Sequence, residues 1–184
     1  MQEVHRRSVT LVLGGVRSGK SRFAQEIAVQ ASAVCFVATA RASDEEMRRK
    51  IARHRAGRPP HWQTLEEPLD LASAIAANEA RSDLLLVDCL TLFAANLMEA
   101  HGEDAAAIED RMAVLCRAIE NARCSIVLVS NEVGSGIVPA YQAGRRFRDL
   151  LGEINQRMAA IADRVVLMVA GLPLAVKGSA EGLR

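Results

Sequence analysis

The octapeptide GGVRSGKS, residues 14 to 21, restricts the fold more than any other stretch of this chain. It matches the spacing G-x-x-x-x-G-K-[ST], which requires a strand before it and a helix after it. Residues 8–13 (SVTLVL) read as the strand, and a helical pattern runs over 19–31. Glycines let the main chain turn sharply, so that several N–H groups meet one phosphate. The N-terminus of the following helix adds the positive end of its dipole. In this pattern Lys20 reaches the outer phosphates and the Ser21 hydroxyl binds Mg²⁺. A chance glycine turn would not meet all four fixed positions of this eight-residue pattern between a strand and a helix. Gly14, Gly15, Val16, Arg17, Ser18, Gly19, Lys20 and Ser21 are therefore expected to hold a nucleoside triphosphate.

The rest of the chain repeats the strand-then-helix rhythm. Short apolar runs fall at 33–38, 83–88, 125–130 and 164–169, and a shorter strand is expected at 62–66. The runs are nearly continuous in Val, Leu and Ile, as strands covered on both faces are. Helical patterns lie at 43–56, 69–80, 91–100, 104–122 and 140–162, and Pro59-Pro60 stops the first of these. Alternation of this kind predicts an α/β fold, P-loop NTPase-like, with a mostly parallel sheet flanked by helices. The 184 residues suit one domain spanning 1–184, with a small, polar, frayed tail after about 177. A chain of that size buries about 70% of its unfolded surface and needs no metal or disulfide staple.

The formal net charge is +1, which disfavours a nucleic-acid-coating role. Basic residues cluster at 48–58 and 144–148, either as solvated helix faces or facing a ligand. Cys35, Cys89, Cys116 and Cys124 form no C-x-x-C pair and mostly adjoin apolar runs, as reduced thiols do. The apolar run near the N-terminus is too short for a signal peptide, and no stretch approaches a membrane span. The expectation is a cytoplasmic protein.

An acidic residue at another strand end usually accompanies a phosphate cradle. LLLVDCLT places Asp88 where an apolar run stops, as a metal ligand or as the cap of the next helix. GTP switches carry D-x-x-G and N-K-x-D. Here Asp88 is followed by Cys-Leu-Thr and Asn131 by Glu-Val-Gly, so a switch is disfavoured. A nucleotide-binding regulator without enzymatic activity stays open.

Two further stretches draw attention. In IARHRAGRPPHWQTLEE, residues 51–67, His54 shares a helical stripe with Met47 and Ile51, which alone suggests a core histidine. Arg53, Arg55 and Arg58 surround it with charge suited to a phosphate. A neutral imidazole can attack phosphorus without a separate base. In SNEVGSGIVPAYQAGRRFR, residues 130–148, Asn131 and Glu132 end a strand on the edge where open α/β sheets bind ligands.

Together these pieces resemble the bifunctional adenosylcobinamide kinase / adenosylcobinamide-phosphate guanylyltransferase family of cobalamin biosynthesis. GGVRSGKS, the ATAR turn, IARHRAGRPPHW, VDCLTLFAANLM and the segment from SNEVGSGIVPAY through AGLPLAVK carry the resemblance, over about residues 9 to 177. It implies transfer of the γ-phosphate of ATP or GTP to adenosylcobinamide. Transfer of GMP from GTP through a histidine–GMP intermediate would follow. It implies His54 as that histidine, with His61 in reserve. GTP contacts would come from Gly14 to Ser21, from Ala38, Thr39 and Ala40, from Arg55, Ala56, Gly57 and Arg58, and from Glu66 and Asp88. Ser21 and Asp88 would hold Mg²⁺. The partners implied are nucleotide, a corrinoid and further copies of the chain, as a homotrimer. The competing enzyme reading is a plain small-molecule kinase without guanylyl transfer.

Overall fold

The computed structural model describes residues 7–42, 45, 48, 49, 52, 55 and 57–179. Among them, seven strands form one sheet in the order β3-β2-β4-β5-β1-β6-β7. The strands are β1 (Val9–Gly14), β2 (Val34–Ala38), β3 (Gln63–Glu66), β4 (Leu84–Asp88), β5 (Ser125–Asn131), β6 (Arg164–Val169) and β7 (Leu172–Lys177). Every pairing is parallel except β6 with β7. The described helices are α1 (Lys20–Ala28), α2 (Leu71–Asn78), α3 (Leu90–His101), α4 (Ala105–Asn121) and α5 (Gln142–Ile161). Of the pattern at 43–56, only residues 45, 48, 49, 52 and 55 are described, and all five are helical.

The continuous apolar runs have a direct cause. Successive strand side chains point to opposite faces, and both faces are covered. Leu11, Cys35, Val37, Leu85, Val87, Ile126 and Leu128 pack against α2, α3, α4 and α5. Their neighbours Val12, Phe36, Leu86, Val127, Val129 and Val166 pack against α1 and Trp62. Side-chain caps fix two helix starts: Asp70 accepts from the Ser73 N–H at 3.2 Å, and Asp104 from the Ala107 N–H at 3.0 Å.

β7 was not expected from the sequence. It returns antiparallel from β6 through Ala170 and Gly171, which have φ of 51° and 83°. Both turn residues in the left-handed region make the tight hairpin geometry that matches strand twist. Pro173 is tolerated because β7 is an edge strand. All four cysteines are free, with Cys35 and Cys124 buried. Among the described residues no helix is long and apolar enough to cross a membrane.

Candidate nucleotide-binding site

Register gathers the site at the carboxyl ends of the parallel strands. Ala38 on β2 lies beside Glu66 on β3 and Asp88 on β4, and Gly14 on β1 lies beside Asn131 on β5. Alternation carries Ala38, Glu66, Asp88 and Asn131 to the face that α1 covers. Helix α1 begins at Lys20, inside the GGVRSGKS stretch, and a cleft of about 580 Å³ opens in front of these ends.

The phosphate loop lines that cleft with Val16, Arg17, Ser18, Gly19, Lys20 and Ser21. Ala38, Ala40, Glu66 and Asp88 line it from the strand ends, and Arg55 and Arg58 from the segment before β3. Four expected residues stand back from it. Gly14 closes β1. The Gly15 carbonyl accepts a hydrogen bond from Lys20 Nζ at 3.0 Å. Gly57 is an exposed turn residue. Thr39 is fully buried: its hydroxyl donates to the Cys89 carbonyl at 2.7 Å and accepts from the Cys89 N–H at 2.8 Å. Its own N–H donates to the Asp88 carbonyl at 3.2 Å. Thr39 therefore fixes the main chain around Asp88 from behind. His54 and Ala56 lie outside the described residues.

Asp88 is not the cap of α3. Cys89 occupies the position before that helix, with no side-chain cap, and Asp88 stays on the cleft. The Asp88–Cys89 peptide is cis. Burial lowers the Lys20 pKa, while Cys89 and Asp88 oppose that shift by favouring its charge. Burial raises the Cys89 thiol to about 11, so it stays protonated at neutral pH. Arg58 stacks its guanidinium 3.4 Å from the centre of the Phe36 ring, a cation–π contact that favours charge in a half-buried place. Burial still lowers its pKa, and its Nε is buried without a partner.

The basic cluster at 48–58 divides. Arg48 and Arg49 pair with Glu45 on an exposed face, whereas Arg55 and Arg58 face the cleft. In the cluster at 144–148, Arg145 donates to the Pro139 and Ala140 carbonyls and Arg148 to the Gly134 carbonyl. Those arginines hold the loop after β5. On the other flank, the Gly171 N–H donates to the Ser18 carbonyl at 2.9 Å. Gly19, with φ of 95°, lies so near that a Cβ there would come within 3.3 Å of Gly171 Cα.

Sequence reasoning did not assign Phe36, Thr64, Thr91 or Leu92 to the cleft, and it placed Asn131 on a ligand-binding edge without naming what it contacts. Phe36 and Thr64 stand two residues before Ala38 and Glu66, so strand alternation was the available signal. Thr91 and Leu92 open the helix that follows Asp88. For a divalent cation, Ser21 and Asp88 offer hard oxygen donors on one cleft. Phosphate oxygens and water complete such a shell, so the donor set fits. Among the described residues no cluster of three His, Cys, Asp or Glu suited to a metal occurs.

A sheet with the phosphate-loop strand in its interior, one acid-bearing strand beyond β5 and helices on both faces defines a P-loop NTPase-like α/β protein. An ATPase from the type III secretion system of pathogenic bacteria shares this fold, with a TM-score of 0.57 and 14% identity over 96% of this chain and 60% of that one. Residues 10–176 match the family described as cobinamide kinase / cobinamide phosphate guanyltransferase, and the chain belongs to it. The bifunctional adenosylcobalamin biosynthesis protein CobP of Pseudomonas aeruginosa is 45% identical over 91% of this chain and 96% of its own. The corresponding protein CobU of Salmonella typhimurium is 40% identical over 91% of this chain and 98% of its own.

Proposed function

We propose that this protein is a bifunctional enzyme of adenosylcobalamin biosynthesis. It phosphorylates adenosylcobinamide and then converts the product to adenosylcobinamide-GDP. The observation that carries this reading is one cleft lined by the phosphate loop, Asp88, Glu66, Arg55 and Arg58 together, in a chain that matches the family over residues 10–176.

In the first reaction the corrinoid hydroxyl oxygen bonds to the γ-phosphorus of ATP or GTP. The bond to the β-phosphate oxygen breaks, and the hydroxyl proton passes to solvent. Positioning and charge neutralisation dominate such transfers, and Lys20, Arg55 and Arg58 supply them. Ser21 and Asp88 are the residues that would hold Mg²⁺, which neutralises phosphate charge when bound. In the second reaction a nitrogen of His54 bonds to the α-phosphorus of GTP, and pyrophosphate leaves. A phosphate oxygen of the corrinoid then displaces the histidine. Arg55 and Arg58, on either side of the turn after His54, support that assignment by facing the cleft. His61 is the reserve nucleophile.

We read residues 1–184 as one domain, since one sheet carries all the strands described. The four free thiols favour a reducing, cytoplasmic setting. The trimer rests on the family resemblance alone.

The decisive experiment uses GTP labelled at the α- or γ-phosphate, with and without adenosylcobinamide. The γ-label should move to the corrinoid. The α-label should stay on the chain in an acid-labile, base-stable bond, and His54→Ala should lose it while retaining kinase turnover. Label persisting on His54→Ala places the nucleophile elsewhere, and His61→Ala then tests the reserve candidate. Phosphorylated corrinoid as the sole product, with no labelled chain, would support the plain-kinase reading.

A further inference from the structure

We infer that the Asn131 carboxamide binds the terminal phosphate of the nucleoside triphosphate and so distinguishes triphosphate from diphosphate. This rests on the reading of the cleft as a nucleotide site, and adds to it a residue that neither the motif nor the family match assigns.

Topology places this residue. β5 lies between β1, which leads into the phosphate loop, and β4, which ends in Asp88. Asn131 pairs with Gly14 on one side, while Asp88 on the other pairs with Val129. Asn131 thus stands two residues, about 7 Å, beyond the level of Asp88 along the strands. It lines the cleft with Lys20 and Asp88. The lysine of this motif reaches the β- and γ-phosphates, and its acidic partner holds the metal that bridges them. A group flanked by both faces the outer phosphate.

The residue is also built for the task. Its N–H donates to Thr91 Oγ1 at 2.8 Å, and its carbonyl accepts from Asn155 Nδ2 at 3.0 Å. The next N–H, of Glu132, donates to the Gly14 carbonyl at 3.1 Å. Helices α3 and α5 and strand β1 therefore clamp its main chain from three directions. The carboxamide itself makes no hydrogen bond with any described residue. A rigid main chain presenting two free N–H donors to a cleft is a preorganised anion contact. Asn155 and Thr91 act through Asn131 as positioning residues.

The test is equilibrium binding of a non-hydrolysable GTP analogue and of GDP, by calorimetry, to the wild-type chain, Asn131→Ala and Asn131→Asp. Hydrogen bonds to charged groups predict that Asn131→Ala binds the analogue roughly tenfold or more weakly. GDP affinity should stay within about twofold, since the inner phosphates keep the loop and Lys20. Asn131→Asp, which is isosteric, should lose still more triphosphate affinity by facing an anion with an anion. It also covers the case in which the alanine variant does not fold. Equal loss for both nucleotides, or no loss for either, overturns the inference. If the wild-type chain binds neither nucleotide, the underlying reading fails instead, and the two failures are separable.

Discussion

At the scale of single residues, the groups proposed to hold phosphate are distinct from those that hold the protein together. Lys20 makes one hydrogen bond, to the Gly15 carbonyl within its own loop, and adds little to the core. Lys20→Ala should therefore abolish both transfer activities and leave the thermal unfolding midpoint within a few degrees. Near-normal kinase turnover in a folded Lys20→Ala protein would refute the phosphate-loop role. Asp88 divides its labours differently: its carbonyl is tied to Thr39, while its side chain lines the cleft. Asp88→Asn keeps the main chain and the shape. It should raise the magnesium concentration needed for half-maximal rate by tenfold or more, in line with the loss of a charged ligand, and change nucleotide binding less. A magnesium titration of rate alongside a binding isotherm checks this.

At the scale of elements, helix starts carry measurable stability. Asp70 caps α2, accepting from the Ser73 hydroxyl at 2.9 Å as well as from its N–H, with Arg111 at 3.8 Å. The Ser73 hydroxyl, then its N–H, holds the Asp70 carboxyl below its ordinary value of 3.8. A folded pKa below the unfolded one means the cap's contribution is present in full above the unfolded value. That contribution is lost as pH falls through the folded one. Asp70→Ala should cost about 1 kcal/mol at pH 7. In urea titrations the gap between the variant and the wild-type chain should narrow as pH drops below that range. A gap of constant size would mean that the carboxylate charge has no part in the cap. Elements were also where the sequence spoke most clearly. Five apolar runs became β1, β2, β4, β5 and β6, because their composition reports burial on both faces. β7 was silent, since Leu172, Leu174 and Val176 are exposed and its turn is Ala-Gly, not Asn-Gly. Strand signals depend on a burial contrast that an edge hairpin lacks.

At the scale of the whole molecule, what the sequence could not express was order across the sheet. The loop Gly14–Ser21 and Asp88 were legible because each is a local pattern. The neighbourhood of Asn131 was not, because only the insertion of β5 between β1 and β4 brings it between them. Thr39, which the family resemblance implies as a nucleotide contact, is buried with its hydroxyl bonded to Cys89, a long-range pairing that no local pattern announces. The same ordering puts the β6–β7 hairpin against the phosphate loop, through the Gly171 N–H and the Ser18 carbonyl. The loop cannot swing away from the sheet without releasing that hairpin, so occupancy of one and opening of the other are linked equilibria. Nucleotide should then slow deuterium uptake at the Gly171 amide and along β7, which three strands separate from the strand that carries Asp88. The hairpin becomes a solvent-exchange gauge of whether the cradle is filled, readable by mass spectrometry without any substrate turnover.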